Sequence, residues 1–272
     1  MNSFLDIPKD TVKAYRIILS ILLVEILIYF FCDIQIASFV DNSFIAFEQD
    51  PLLWIIYFTG LPKLIISNIY LSCFIDAAIL ILLATLILKP FNSRIALLLF
   101  ILMLLFYAIF TAHLAHRNYQ SGYLLVLLPL LFSNINKKQI VFEFTRYFIL
   151  FFYISAAYFK ITSGLLFSND HFSNVIINQF TPYFLEQSYS VRTNINLFLI
   201  THSSVTSFLY IGATLLELSA FIGFFTKRFD AYLAILILLF HFTNWFIMDI
   251  APIGQIAFIC TLFFSKKLAW KI

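Results

Sequence analysis

Apolar residues run along this chain in long, nearly unbroken stretches separated by short polar punctuation. Eight such stretches can be read: 14–31, 65–88, 95–115, 119–134, 141–162, 205–226, 229–248 and 252–265. Most match the length of a membrane-crossing helix, about 20 residues for a hydrocarbon core about 30 Å thick. Strands of a membrane barrel would instead alternate in polarity over segments of about ten residues. The pattern predicts an all-α fold, a polytopic integral membrane helical bundle with about eight transmembrane helices. The fourth and eighth stretches are short, so six crossings plus re-entrant segments is the alternative.

Two intervals break the apolar pattern. Residues 32–64 carry Asp33, Asp41, Glu48 and Asp50 against a single Lys63, which reads as an acidic outer loop. Residues 163–204 are polar and rich in Asn and Ser, yet hold the apolar pieces "NVIINQFTPYFLEQ" and "NINLFLITH". These pieces predict short helices lying in the membrane interface over the outer mouth of the bundle. Residues 1–272 are accordingly read as one transmembrane domain with the 163–204 loop on its outer face.

Composition strengthens the membrane reading. The chain is 62% hydrophobic and 11% charged, with mean hydropathy +0.96, whereas a soluble domain carries about a quarter charged residues. The placement of charge then gives an orientation. With eight crossings and the N-terminus inside, the cytoplasmic side holds Lys9, Lys13, Arg16, Lys89, Arg94, Lys137, Lys138, Arg146, Lys227, Arg228, Lys266, Lys267 and Lys271. Only Lys63, Arg117, Lys160 and Arg192 remain outside or near the outer boundary. This asymmetry predicts a protein of the cytoplasmic (inner) membrane with both termini cytoplasmic. The lipid bilayer is then its first partner, and basic residues confined to flanking loops do not suggest nucleic acid. Cys32, Cys73 and Cys260 stand far apart with no CxxC, which argues against a zinc site or a thioredoxin-like pair. Cys73 and Cys260 fall in apolar stretches and read as core residues.

Against this apolar background the ionisable residues stand out, because each costs at least about 2.5 kcal/mol in the hydrocarbon core. Glu25, Asp76, Glu217 and His241 all fall about 14–18 Å from one end of their helices at 1.5 Å per residue. Glu25, in the first helix near Arg16, reads first as a protonated, hydrogen-bonded packing residue and only second as a site residue. Asp76, one turn after Ser72, is either a polar contact between helices or part of a substrate pocket. Glu217 lies in "GATLLELSAFIGFF", where Gly212, Ala213, Ser219, Ala220 and Gly223 would let another helix approach closely. His241 shares a helix face with Asn244 and Trp245. His113 and His116, three apart, lack a third ligand, so no metal is expected. Lys160 stands near the outer end of its helix. It either reaches to the interface for water or sits in a dry pocket, where a lysine is a candidate base.

The run "RYFILFFYISAAYFKITSG", followed by a polar stretch, and then "GATLLELSAFIGFFTKRFDAYLAILILLFHFTNWFIMDIAPIGQIAFICTLFF", resembles the horizontally transferred transmembrane (HTTM) family. This is the membrane domain shared with vitamin K-dependent γ-carboxylase. The match lies in a Tyr-rich helix closing on Lys, a Glu leading through an apolar run to a Thr-Lys-Arg turn, and a His in the next helix. It covers about residues 95–265. The resemblance implies that Lys160 is the base that starts chemistry on a reduced quinone, with Glu217 and His241 as catalytic partners. Where the family often carries a His ahead of the lysine helix, this chain reads "NYQSGY", which leaves Tyr119 or Gln120 there. With Asn244, Trp245 and Asp76 they complete the expected substrate pocket. The family tryptophan shortly after the lysine is missing from "KITSGLLFSND", and a large extramembrane substrate-gripping domain is not expected in this chain.

The resemblance therefore implies a membrane enzyme for a quinone-like or lipid-soluble substrate. Two other readings stand beside it. One is a non-catalytic subunit working with a membrane or secreted-peptide partner protein in export, maturation or immunity. The other is a proton-coupled transporter, suggested by the number of acids at mid-depth.

Overall fold

The structure is a computed structural model that describes residues 9–32, 34–40, 51–113, 122–132, 138–168, 170–185, 190–248 and 254–265. Thirteen α-helices follow in order through them: α1 Lys9–Phe31, α2 Pro51–Phe58, α3 Leu61–Ile66, α4 Ile69–Leu88, α5 Ser93–His113, α6 Gly122–Leu131, α7 Lys138–Thr162, α8 His171–Leu185, α9 Val191–Thr201, α10 Ser203–Ser219, α11 Phe221–Phe225, α12 Asp230–Met248 and α13 Gln255–Cys260. Three short 3₁₀ turns, Ile36–Phe39, Leu165–Phe167 and Thr261–Phe264, complete the set, and no strand occurs among the described residues.

The helices are apolar on both their inner and outer faces. In α4, Ile75, Ile79, Leu83 and Leu86 are buried at helical spacing while Phe74, Ile81 and Leu88 point outward. A helix without a polar face has no stable place in water and needs lipid on its outer side. Five helical stretches among the described residues are long and apolar enough to cross a membrane. They are that of α1, α4, α5, α10 with α11, and α12. Helix α7 has 25 residues but carries Lys138, Glu143, Arg146 and Lys160. Among the described residues, the expected fourth and eighth stretches hold short apolar helices, Gly122–Leu131 and Gln255–Phe264. The 65–88 stretch is divided in two, because the Asn68 side chain accepts from the N–H groups of Tyr70 and Leu71 and starts a new helix there.

The chain forms two compact units, Met1–Thr145 with Pro252–Ile272, and Arg146–Ala251. In the first, α1, α4, α5, α6 and α13 make a closed circuit in which each helix packs on two others. The C-terminal α13 closes it by fitting between α1 and α6. Glycine makes that fit possible. A Cβ on Gly122 of α6 would stand 2.6 Å from the Gly254 carbonyl oxygen and 2.7 Å from Gln255 Cα. Gly254 itself has φ +66°, the left-handed region that favours glycine.

The two acids of this unit that fall at mid-depth both hold backbone. Glu25 accepts from Ile256 N–H at 3.2 Å and Ala257 N–H at 3.1 Å, the first turn of α13. Asp76 accepts from Ile36 N–H at 3.1 Å and Ala37 N–H at 2.9 Å, the start of the 3₁₀ turn. The first N–H groups of any helix lack an internal partner, and in an apolar setting they must find one. Cys260 is buried, but Cys73 is exposed on the outer face of α4 and is no core residue. The face of α4 that carries Ser72, Asp76 and Ile79 is the buried one, and Cys73 is turned away from it.

In the second unit α10 packs on α8, α9 and α12, and α12 packs on α8 and α9. The interval 163–204, read as an outer loop, holds the Leu165–Phe167 turn together with α8 and α9. The buried faces of these helices, Ile176, Phe180 and Leu199, form a small core with Phe172, Ile200 and Ile247.

Candidate functional site

The second unit gathers its polar groups along one face of α7. Arg146, Tyr153 and Lys160 are spaced seven residues apart, which returns a helix to nearly the same face every about 10.5 Å. Each of the three meets a polar partner from α10 or α12.

At the first level the Arg146 guanidinium grips the Asp230 carboxylate with Nε at 2.6 Å and a second nitrogen at 2.9 Å. The side chains are 5% and 1% exposed. The same guanidinium donates to the carbonyls of Gly223 and Thr226, which the turn between α11 and α12 leaves free. One turn further along α7, Leu150 rests against Gly223, where a Cβ would come within 2.5 Å of the leucine side chain. Of the small residues around Glu217, Gly223 is where α7 comes close, whereas a Cβ on Gly212 would meet nothing within 4 Å.

At the second level the Tyr153 hydroxyl and His241 Nε2 are 2.6 Å apart, both buried. At the third, Lys160 Nζ stands 2.7 Å from both carboxyl oxygens of Glu217. Lys160 is 20% exposed and Glu217 5%. The ammonium lies over the rings of Tyr210, at 5.3 Å, and Phe240, at 5.8 Å. Phe240 also packs against the His241 ring, with centroids 5.3 Å apart, so one side chain touches both upper levels. Behind the site, Tyr210 stacks on Phe172 and meets the His171 ring edge-on, both at the start of α8.

Of the residues singled out from the sequence, Lys160 and Glu217 meet directly, and His241 lies one level away through Phe240. Asn244 is half-buried and Trp245 is 51% exposed. The Trp245 backbone carbonyl accepts from Arg192 at 2.7 Å, a contact separate from the Lys160–Glu217 pair. Asp76 belongs to the first unit, where it holds the Ile36–Phe39 turn. Tyr119, Gln120 and His116 lie outside the described residues, as does the side chain of His113. Among the described residues no group of three His, Cys, Asp or Glu could hold a metal ion.

Sequence reasoning counted Arg146 only among the cytoplasmic-side charges and gave no role to Asp230 or Tyr153. The signal was present in the seven-residue spacing of Arg146, Tyr153 and Lys160. Two of the three acids that fall at mid-depth are engaged with helix termini, so the count of membrane acids is a weaker sign of proton transport than it looked.

Chemically, the third level is a close ion pair between a proton donor and an acceptor. Moving one proton across 2.7 Å converts ammonium and carboxylate into neutral amine and neutral acid. In an apolar setting the ionised pair loses much of the hydration that favours it in water, which brings the two forms closer in energy. Comparison with known protein families, curated proteins and solved structures finds no match to this chain.

Proposed function

We propose that this is a membrane-embedded enzyme, carboxylase-like in its membrane domain, that activates a quinol or similar lipid-soluble acid with Lys160 as the base. The observation that carries this reading is the double contact of Lys160 with Glu217, with the ammonium set over two aromatic rings. The resemblance to the HTTM family supplies the substrate class. The residues suit a reduced quinone: Tyr210, Phe240 and Phe172 offer ring faces, and the amine is the more accessible member of the ion pair.

Lys160 passes its proton to Glu217 and becomes a neutral amine. The amine takes the phenolic proton of the quinol, leaving a phenolate beside a lysine ammonium. Glu217 keeps the first proton, so the phenolate faces a net positive site rather than a second anion. The Tyr153–His241 pair is a second proton-holding group on the same helix face.

The expected setting is the cytoplasmic membrane with both termini inside and eight crossings. Removing the two short crossings would move Lys137, Lys138, Arg146, Lys227 and Arg228 to the outer side and weaken the charge asymmetry.

The test is an anaerobic titration of the purified protein with a reduced naphthoquinone, following the phenolate absorbance. Wild type is expected to bind and ionise the quinol, Glu217→Gln to bind with reduced ionisation, and Lys160→Ala to bind without it. A folded Lys160→Ala protein that ionises quinol as well as wild type overturns the proposal.

A further inference from the structure

The first unit carries a second site, unrelated to Lys160. Helix α1 and the turn joining α4 to α5 border a shallow, open depression of about 840 Å³. Three cations line it, Arg16 from α1 and Lys89 and Arg94 from either side of the turn, and its lining contains no acidic residue. None of the three is paired with a carboxylate among the described residues. The cations are exposed, so their mutual repulsion is moderated by water, and no described lining residue carries a neutralising negative charge.

The local geometry fixes part of this arrangement. Arg16 donates one nitrogen to the Leu88 carbonyl at 3.1 Å, a carbonyl that the end of α4 leaves without a helical partner. A guanidinium has five N–H donors, so this bond sets its position and leaves donors for another acceptor. The Asn92 side chain accepts from Arg94 N–H and Ile95 N–H at 3.2 and 3.3 Å and so caps α5 from within. Recognition in the site therefore falls to the three cationic side chains. Val12, Leu88 and Phe91 supply apolar wall beside them.

The turn 89–92 joins two helices of 20 and 21 residues, each among the five long and apolar enough to cross a membrane. Such a turn lies at a membrane boundary, with a leaflet of headgroups beside it. Cations against an apolar wall at that depth match a phosphate on top of acyl chains, and basic pockets between membrane helices are suited to anionic headgroups.

We infer that Arg16, Lys89 and Arg94 form a binding site for the headgroup of an anionic phospholipid. A zwitterionic headgroup brings its own cation into the same cluster and is disfavoured. A free phosphate lacks the acyl chains that would use the wall formed by Val12, Leu88 and Phe91.

The test uses the full chain purified in neutral detergent and titrated with short-chain phosphatidylglycerol, with phosphatidylcholine of the same chain length, and with inorganic phosphate. Thermal unfolding is the readout. Phosphatidylglycerol is expected to raise Tm saturably, and the other two to leave it within about 1 °C. Lys89→Gln should weaken the apparent affinity about fivefold, and Arg16→Gln with Arg94→Gln by more than about tenfold. Equal stabilisation by phosphatidylcholine overturns the inference, as does unchanged affinity in the variants. Stabilisation by inorganic phosphate alone overturns the lipid assignment in favour of a free-anion site. Should the double variant not fold, the headgroup comparison and Lys89→Gln decide the matter.

Discussion

At the scale of single residues, the second unit depends on charges that have partners. Arg146 is almost fully buried, and Asp230 with two backbone carbonyls meets its donors. Removing one member of such a pair leaves a buried charge uncompensated, at a cost of about 3–5 kcal/mol, whereas replacing both with apolar residues is often tolerated. Asp230→Asn is therefore expected to lower thermal stability far more than the double substitution Arg146→Met with Asp230→Leu. Thermal unfolding in detergent measures both, and equal losses would show that the ion pair is not what holds this level together. Tyr153 and His241 form the neutral counterpart. Tyr153→Phe leaves the imidazole Nε2 without its partner at 2.6 Å and should cost about 1–3 kcal/mol by the same measurement.

At the scale of elements, the first unit uses carboxyl groups to start helices that would otherwise begin with unmet N–H groups in an apolar surround. Helix α13 is six residues long, too short to be stable by itself. It is held by Glu25 from α1 and by the close glycine contact with α6. Glu25→Ala should expose two buried N–H groups, cost about 2–4 kcal/mol, and speed hydrogen exchange at Ile256 and Ala257 by about tenfold or more. Protection in the middle of α10, in the other unit, should stay as it was. Exchange mapped by peptide would show the local effect, and uniform acceleration across both units would argue against a capping role. Both acids were legible as anomalies in the sequence. Their partners were not, because Glu25 and Ile256 lie 231 residues apart and no local pattern records a contact of that range.

For the whole molecule, Asn136 distinguishes eight crossings from six. With eight crossings residue 136 is cytoplasmic, and with six it faces outward. Asn136→Cys in a chain lacking Cys32, Cys73 and Cys260 is expected to resist a membrane-impermeant maleimide in intact cells and to react after permeabilisation. Labelling in intact cells would support six crossings and would place the 163–204 interval inside. The charge pattern carries this expectation, since moving five Lys and Arg residues across the membrane runs against their retention on the cytoplasmic side.

Apolar run length and charge placement were enough to determine that this is a helical, multi-pass membrane protein, because bilayer thickness and the cost of moving charge act on any sequence locally. The same physics singled out Glu25, Asp76, Lys160, Glu217 and His241, since each is expensive in lipid whatever surrounds it. What each residue does was decided only by tertiary structure. Glu25 and Asp76 became caps because a backbone terminus from elsewhere in the chain arrives beside them. Lys160 and Glu217 became a pair because α7 and α10 of the same unit bring residues 57 positions apart to 2.7 Å. Desolvation cost is a property of one side chain, whereas its compensation depends on which partner the fold delivers.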